Sequence, residues 1–296
     1  MANLKEVRAR IKSVQTTQQI TKAMKLVSAS KLKRAQDRIT QMRPYADHLY
    51  EMLGNILSSL ETEDLSLNFN EVRTPKKITI ILVTASKGLC GAFNSNLIKK
   101  TNQLLFQTYN QQRKEGNLTL YVIGKKGYDA FKNKEVAINT DYQNLLQNLN
   151  YEECASFTET LMKSFLNGDT DVVECVYAKF KNAATQVYES ERFLPVPKIE
   201  TSSSNSSSSI DFIFDPEKTQ LIEELVPKII KTQFFRFLLD TNASEHGARM
   251  VAMDSATTNA NELLNKLKLM YNRERQAAIT KELLEIVAGA AALENG

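Results

Sequence analysis

From Leu4 to about Leu60 the chain carries one glycine, Gly54, and one proline, Pro44, while apolar residues recur at intervals of three and four. A run of this length and rhythm admits little but helix. Leu4, Val7, Ile11 and Val14 step by three, four and three, the seam of a helix paired with another helix. Beyond Val14 the stripe passes through Gln18 and Thr21, picks up on Ile20, Met24 and Val27, and moves again to Leu32, Ala35, Ile39 and Met42. The spacing therefore predicts phase slips, as in a coiled coil whose partner changes along its length. Pro44 is expected to kink or break the helix near Arg43 by removing a donor and crowding the preceding turn. Tyr45, Leu49, Leu53, Ile56 and Leu60 then mark its resumption.

The other end is longer. Asp215-Pro216-Glu217 reads as N-cap, first helical residue and dipole-compatible acid, so the last helix is expected to start there. Pro227 predicts a kink and Gly247 a weak point, but nothing interrupts the pattern from Ala248 to Ala288. About 75 helical residues would make a rod on the order of 110 Å, several times the radius of a domain. The two ends thus predict a shaft of paired helices that acts through contact.

The middle differs in kind. Lys77 to Val83, Leu118 to Ile123 and Asp171 to Phe180 read as buried strands, with helical patterns at Ser95 to Gln107 and Tyr151 to Phe165. This alternation predicts a small α/β sheet domain, to which Gln186 to Leu194 adds an antiparallel edge strand ending at Pro195. Thr201 to Ser209 is almost all serine and predicts a loop. The organisation expected is an N-terminal helix over 1–60, the α/β domain over 75–200, a serine-rich loop and foot over 201–215, and a C-terminal helix over 216–296.

Composition narrows the function. No stretch approaches the roughly 20 apolar residues that a membrane span needs, and Met1 to Glu6 lacks the core of a secretory signal, so a soluble protein is expected, with any membrane association peripheral. Cys90, Cys154 and Cys175 are odd in number and far apart, giving neither a disulfide framework nor a CxxC zinc site, and they suit a reducing compartment. The formal net charge is +4, but between Lys5 and Arg43 the acids are only Glu6 and Asp37. Lys22, Lys25, Lys31, Lys33, Arg34 and Arg38 could face solvent, nucleic acid, anionic lipid or an acidic protein collar. Nucleic acid is disfavoured because no aromatic precedes Tyr45.

Catalytic signatures are weak. Thr84-Ala85-Ser86-Lys87-Gly88-Leu89-Cys90-Gly91 follows the first strand, where α/β proteins hold phosphate, yet it matches neither GxxxxGK[ST] nor GxGxxG, and nor does Gly124-Lys125-Lys126-Gly127. These glycines are read as serving tight strand-to-helix turns. His48 and His246 lie in helical segments with no flanking nucleophile and read as surface or packing residues. No metal cluster and no cofactor is expected. A coiled-coil adaptor with an α/β head and a small nucleotide-dependent enzyme stay open on these grounds alone.

Eight segments carry a resemblance. Leu4-Lys5-Glu6-Val7-Arg8, with Ile20-Thr21-Lys22-Ala23-Met24-Lys25-Leu26-Val27-Ser28-Ala29 and Lys31-Leu32-Lys33-Arg34-Ala35-Gln36, resembles the N-terminal signature of the gamma subunits of F-type ATP synthases. Glu245-His246-Gly247-Ala248-Arg249-Met250, Ala256-Thr257-Thr258-Asn259-Ala260 and Tyr271-Asn272-Arg273-Glu274-Arg275-Gln276-Ala277-Ala278-Ile279-Thr280 are similar to that family's closing signature. Lys87-Gly88-Leu89-Cys90-Gly91-Ala92-Phe93-Asn94 and Ile123-Gly124-Lys125-Lys126-Gly127 resemble its central domain.

The resemblance implies a long antiparallel coiled coil of N- and C-terminal helices plus a central Rossmann-like α/β domain. It implies a non-catalytic rotor stalk standing inside three alpha and three beta subunits, and contacting the epsilon subunit and the membrane c ring. Proton-driven rotation of that ring would drive ATP synthesis or hydrolysis in the beta subunits. The implied location is peripheral, on the cytoplasmic face of the bacterial inner membrane.

Residue by residue, Arg275, Gln276 and Thr280 match a polar patch that engages a beta loop, and Met24 with Lys22 and Lys25 matches a surface opposite an acidic beta segment. Phe212, Phe214 and Asp215 match the foot on the c ring. Glu274 departs from the family's small or basic residue and predicts an ion pair with Arg273 or Arg275. The cysteine pair and insertion of redox-regulated forms are missing, so no thiol switch is expected.

Overall fold

The computed structural model describes residues 4–58, 69, 73–196 and 218–294. The serine-rich segment, the foot residues Phe212, Phe214 and Asp215, and the expected helix start at Asp215-Pro216-Glu217 lie outside them. Helix α1 spans Leu4–Ser58 and α6 spans Lys218–Glu294, 55 and 77 residues long. Between them lie β1 (Ile78–Val83), α2 (Phe93–Gln103), a π-helical turn (Leu104–Thr108), α3 (Asn110–Lys114), β2 (Leu118–Ile123) and α4 (Lys125–Phe131). They are followed by β3 (Ala137–Asn139), α5 (Tyr151–Leu166), β4 (Val172–Phe180) and β5 (Gln186–Leu194).

Of the kink or break expected at Pro44 the break does not occur, since α1 runs through it, and Pro227 lies inside α6. An internal proline costs about 3 kcal/mol. Burial of Ile39, Ala46 and Leu49 around Pro44, and of Val226, Ile229 and Ile230 around Pro227, offsets it. Each large apolar side chain so buried contributes about 1.5–3 kcal/mol.

The chain divides into two compact units, Met1–Ser28 with Met250–Gly296, and Ala29–Arg249. In the first, α1 and α6 pair antiparallel. Gln18 Nε2 donates to Asn261 Oδ1, the Thr21 and Thr257 hydroxyls share a 2.8 Å hydrogen bond, and Lys25 Nζ meets Asp254 Oδ1 at 2.5 Å. On α1 the buried and half-buried positions include Leu4, Val7, Ile11, Val14, Gln18, Thr21, Lys25 and Ser28, alternating three and four without interruption. Met253, Thr257, Ala260, Leu264, Leu267, Tyr271, Glu274 and Ala278 keep the same beat on α6. In the second unit Leu32, Ala35, Ile39, Met42, Ala46 and Leu49 continue it.

The predicted phase slip is therefore absent. Ile20 and Val27 are 54% and 58% exposed, and the seam runs straight on through polar residues. A heptad beat, not an unbroken apolar stripe, is what keeps two helices in register.

The second unit is built on a five-stranded sheet of order β3-β2-β1-β4-β5, in which β5 alone is antiparallel to its neighbour. One face packs Ile81, Val83, Val173, Cys175 and Tyr177 against Phe157, Leu161 and Phe165 of α5 and Phe234 and Phe237 of α6. The other packs Ile80, Leu82, Val122 and Val176 against Phe93 and Leu97 of α2 and Phe131 of α4. All six residues of β1 are buried, as a central parallel strand covered on both faces requires.

Candidate functional site

The residues expected to meet a beta subunit fall on the unit formed by 1–28 and 250–296. On α1, Lys22 is exposed and Met24 half-buried, while Lys25 is half-buried and spends its charge on Asp254. Ile20, Leu26 and Val27 surround Lys22 in sequence and are all more than half exposed. The second stripe visible in the sequence, Ile20-Met24-Val27, is thus a surface beside the seam, apolar yet facing water. Single exposed apolar residues are ordinary, but a stripe of them along one helix face marks a contact surface.

On α6, Arg275, Gln276 and Thr280 are exposed, with Gln276 and Thr280 one turn apart on the same face. The two groups are not brought together. Lys25 pairs with Asp254, so Arg275 lies some 30 Å further along α6 at the helical rise. They form two patches on one paired-helix unit. Glu274 is half-buried in the seam, and among the described residues no ion pair joins it to Arg273 or Arg275. Its position on the inner side of the helix turns it away from the Arg275 face. Towards the end of α6, Leu283, Leu284, Ile286 and Val287 are 57–67% exposed.

In the other unit, two segments quoted for the resemblance meet in space. Glu245 and Arg249 form a buried ion pair at 2.8 Å within α6, at 9% and 8% exposure. Arg249 also donates to the carbonyls of Lys87 and Gly88 at 3.2 and 3.3 Å, clamping the loop after β1 to the helix. Burial pushes the Glu245 carboxyl up, against the pull of Arg249. Leu89 in this loop holds a φ of 62° and is 65% exposed. No local signal in the sequence joins position 249 to position 87.

The glycine segments do the work of close approach. Gly124 has a φ of 97°, and a Cβ there would fall 2.0 Å from the Thr84 carbonyl oxygen. The Gly127 amide donates to Thr84 Oγ1 at 2.9 Å, tying the start of α4 to the end of β1.

His48 is exposed, whereas His246 packs into the second unit with Nδ1 buried and unbonded among the described residues. Burial, reinforced by Arg249 and Lys31, depresses the His246 imidazole to about 4. All three cysteines are buried free thiols, and burial raises each. Among the described residues no cluster of His, Cys, Asp or Glu is placed to hold a metal ion, and no helix is long and apolar enough to cross a membrane.

The fold and this surface define a class: proteins of paired terminal helices and an α/β body that act by presenting helix faces to partners. The ATP synthase family model matches residues 3–293. The ATP synthase gamma chain of Cytophaga hutchinsonii is 49% identical over 296 residues, and that of Chlorobium limicola 44% identical over 297, each covering all of both chains. The chain belongs to the ATP synthase gamma chain family, and is accordingly a non-catalytic subunit.

Solved structures share its fold. A chain in the Euglena gracilis mitochondrial ATP synthase has a TM-score of 0.65 at 20% identity, covering 99% of this chain and 95% of that one. A chain in the central stalk and c-ring structure from Tetrahymena thermophila has a TM-score of 0.54 at 23% identity, covering 80% and 99%.

Proposed function

We propose that this chain is the central rotor stalk of an F-type ATP synthase, turned by proton flow through a membrane c ring and standing within three alpha and three beta subunits. The observation that carries the reading is the flank of α1 on which exposed Ile20 and Val27 stand with half-buried Met24, a surface the internal helix seam does not use, while Lys22 and Leu26 are exposed on the other flank. Each beta subunit would meet a different side of the paired helices. Differential contact energy then selects among conformations each beta subunit already samples.

The magnitude is attainable. Moving a two-state subunit from 1:99 to 99:1 takes about 5.5 kcal/mol of differential binding. A few charge-assisted hydrogen bonds of about 1.5–3 kcal/mol each supply it. Arg275 and Gln276 offer a guanidinium fork and an amide to carboxylates on a beta loop, with Thr280 one turn on. Lys22, Met24 and Lys25 would face an acidic beta segment. Phe212, Phe214 and Asp215 would rest on the c ring, and the α/β domain would meet the epsilon subunit. The location would be peripheral, at the cytoplasmic face of a bacterial inner membrane.

The test is the double variant Arg275→Ala with Gln276→Ala in the complex reconstituted with its alpha and beta subunits. ATP turnover and rotation rate should fall roughly tenfold while assembly persists, since exposed polar changes alter stability by no more than about 0.5 kcal/mol. Unchanged turnover would remove the proposed beta contact. Failure of the wild-type chain to enter a complex with alpha and beta subunits would remove the rotor reading itself.

A further inference from the structure

The π-helical turn at Leu104–Thr108 is fixed from inside the domain. The Tyr109 amide donates to the Leu104 carbonyl at 2.8 Å, and the Tyr109 hydroxyl donates to Glu174 Oε1 at 2.5 Å in the core. Such turns insert a residue into an α-helix and recur at functional sites. Here the insertion sends Leu104, Leu105 and Tyr109 inward and leaves Phe106 41% exposed. Phe93 and Phe131, on the same side of the sheet, are fully buried.

Two cations close on the Phe106 ring, with the Arg113 guanidinium carbon 4.7 Å and Lys134 Nζ 5.6 Å from its centroid. Their other partners are neutral. Arg113 Nη2 donates to Asn110 Oδ1 at 3.2 Å, and its Nε is buried without a hydrogen-bond partner among the described residues. Lys134 Nζ donates to Asn102 Oδ1 at 2.6 Å and lies 4.4 Å from the centre of the Phe131 ring. Among the described residues neither cation reaches a carboxylate. Burial lowers the Lys134 pKa, the mark of an ammonium whose lost hydration nothing negative replaces.

A cation on an aromatic face contributes about 0.5–1 kcal/mol and needs no further purpose. That account covers one cation. It leaves unexplained why two share a ring with no counter-ion between them, and why a core-anchored turn holds the ring out to water.

We infer that Phe106, Arg113 and Lys134 form a docking point for an acidic segment of a partner protein, a carboxylate entering between the two cations and a neighbouring apolar side chain covering the exposed part of the ring. The guanidinium fork matches a carboxylate geometrically. A free inorganic anion would satisfy the cations and leave the ring exposed. A nucleic acid base would need the ring face, where the cations already sit.

The full chain is titrated with a fluorescein-labelled peptide of alternating Glu and Leu, read by anisotropy, beside a peptide with Gly replacing Leu, inorganic phosphate and oligothymidylate. Phe106→Ala and the pair Arg113→Gln with Lys134→Gln should each weaken the Glu-Leu peptide about tenfold, the worth of one desolvated charged contact. Lys163→Gln with Lys228→Gln, exposed lysines of α5 and α6 that take no part in the proposed contacts, should leave it unchanged. Phe106→Leu, which keeps an apolar side chain in the turn, should retain most of the affinity and separates loss of contact from loss of fold.

Equal affinity for the Gly peptide, indifference to Phe106→Ala at unchanged circular dichroism, or an equal loss from the Lys163 and Lys228 changes would reduce the effect to diffuse charge and overturn the inference. Tighter binding of oligothymidylate or phosphate than of the Glu-Leu peptide would overturn it in favour of those ligands.

Discussion

Acidification should destabilise the unit formed by residues 29–249 through His246. The imidazole titrates near 6.5 in an unfolded chain and at about 4 in the fold. Between those values the unfolded state binds more protons, so stability falls as pH falls. The sign follows from a depressed folded pKa: the neutral ring's contribution is fully present above about 6.5 and is lost as pH drops towards 4. Linkage gives a loss of about 2 kcal/mol at pH 5 and about 3 at pH 4, reduced somewhat by the ring's partial exposure.

The groups around the ring act in both senses. Lys31 and Arg249 oppose its protonation, whereas Glu245, whose carboxyl is raised by burial, gains a proton over part of the same range and stabilises the fold as it does so. The His246→Gln variant isolates the histidine. Tyrosine emission reads the right unit, since the chain has no tryptophan and every tyrosine but Tyr271 lies within 29–249. In urea titrations at pH 7.5 and pH 5.0, wild type should lose about 2 kcal/mol more than the variant. Equal pH dependence in both proteins would refute the reasoning.

Other changes probe the packing. Gly247→Ala gains about 1 kcal/mol of helix propensity but sets a Cβ 3.0 Å from the Ala183 carbonyl oxygen; with overpacking costing about 1–3 kcal/mol, a net fall in melting temperature is expected. Tyr109→Phe leaves the Glu174 carboxylate buried without its 2.5 Å donor and should cost about 1–3 kcal/mol in urea unfolding. Thr21→Val with Thr257→Val replaces a hydrogen-bonded layer by an apolar one, and should raise the far-ultraviolet melting temperature of the paired helices, since removing both polar partners together avoids an unsatisfied group.

Most of the sheet was legible because its strands carry their own signals. β2 and β5 begin and end where apolar and β-branched content predicts, at Leu118–Ile123 and Gln186–Leu194. β3 was not legible: three residues, held only by pairing with β2, leave too little pattern. The short α4 follows Gly124, whose φ of 97° announces a turn more loudly than the next seven residues announce a helix. The π-helical turn depends on Tyr109 reaching Glu174, a contact between residues 65 apart.

The seam is hidden from a search for apolar residues alone. Gln18, Thr21, Lys25 and Ser28 sit where apolar residues are looked for, and Ile20 and Val27 sit where they are not. Counting threes and fours from Leu4 to Leu49 without regard to polarity would have found it. For the candidate surface, sequence motifs marked Lys22, Met24, Arg275 and Gln276, but the 30 Å between the two patches follows only from the pairing of Lys25 with Asp254.

The apolar side chains that ring the helix pair have a practical side. Ile20, Leu26 and Val27 on α1, and Leu283, Leu284, Ile286 and Val287 on α6, stand in water in the lone chain. Surfaces of that kind self-associate when nothing covers them. Synthesis and handling are thus tied to the companions: the chain will keep best when made alongside them, and a preparation of it alone will clump at concentrations the assembly tolerates.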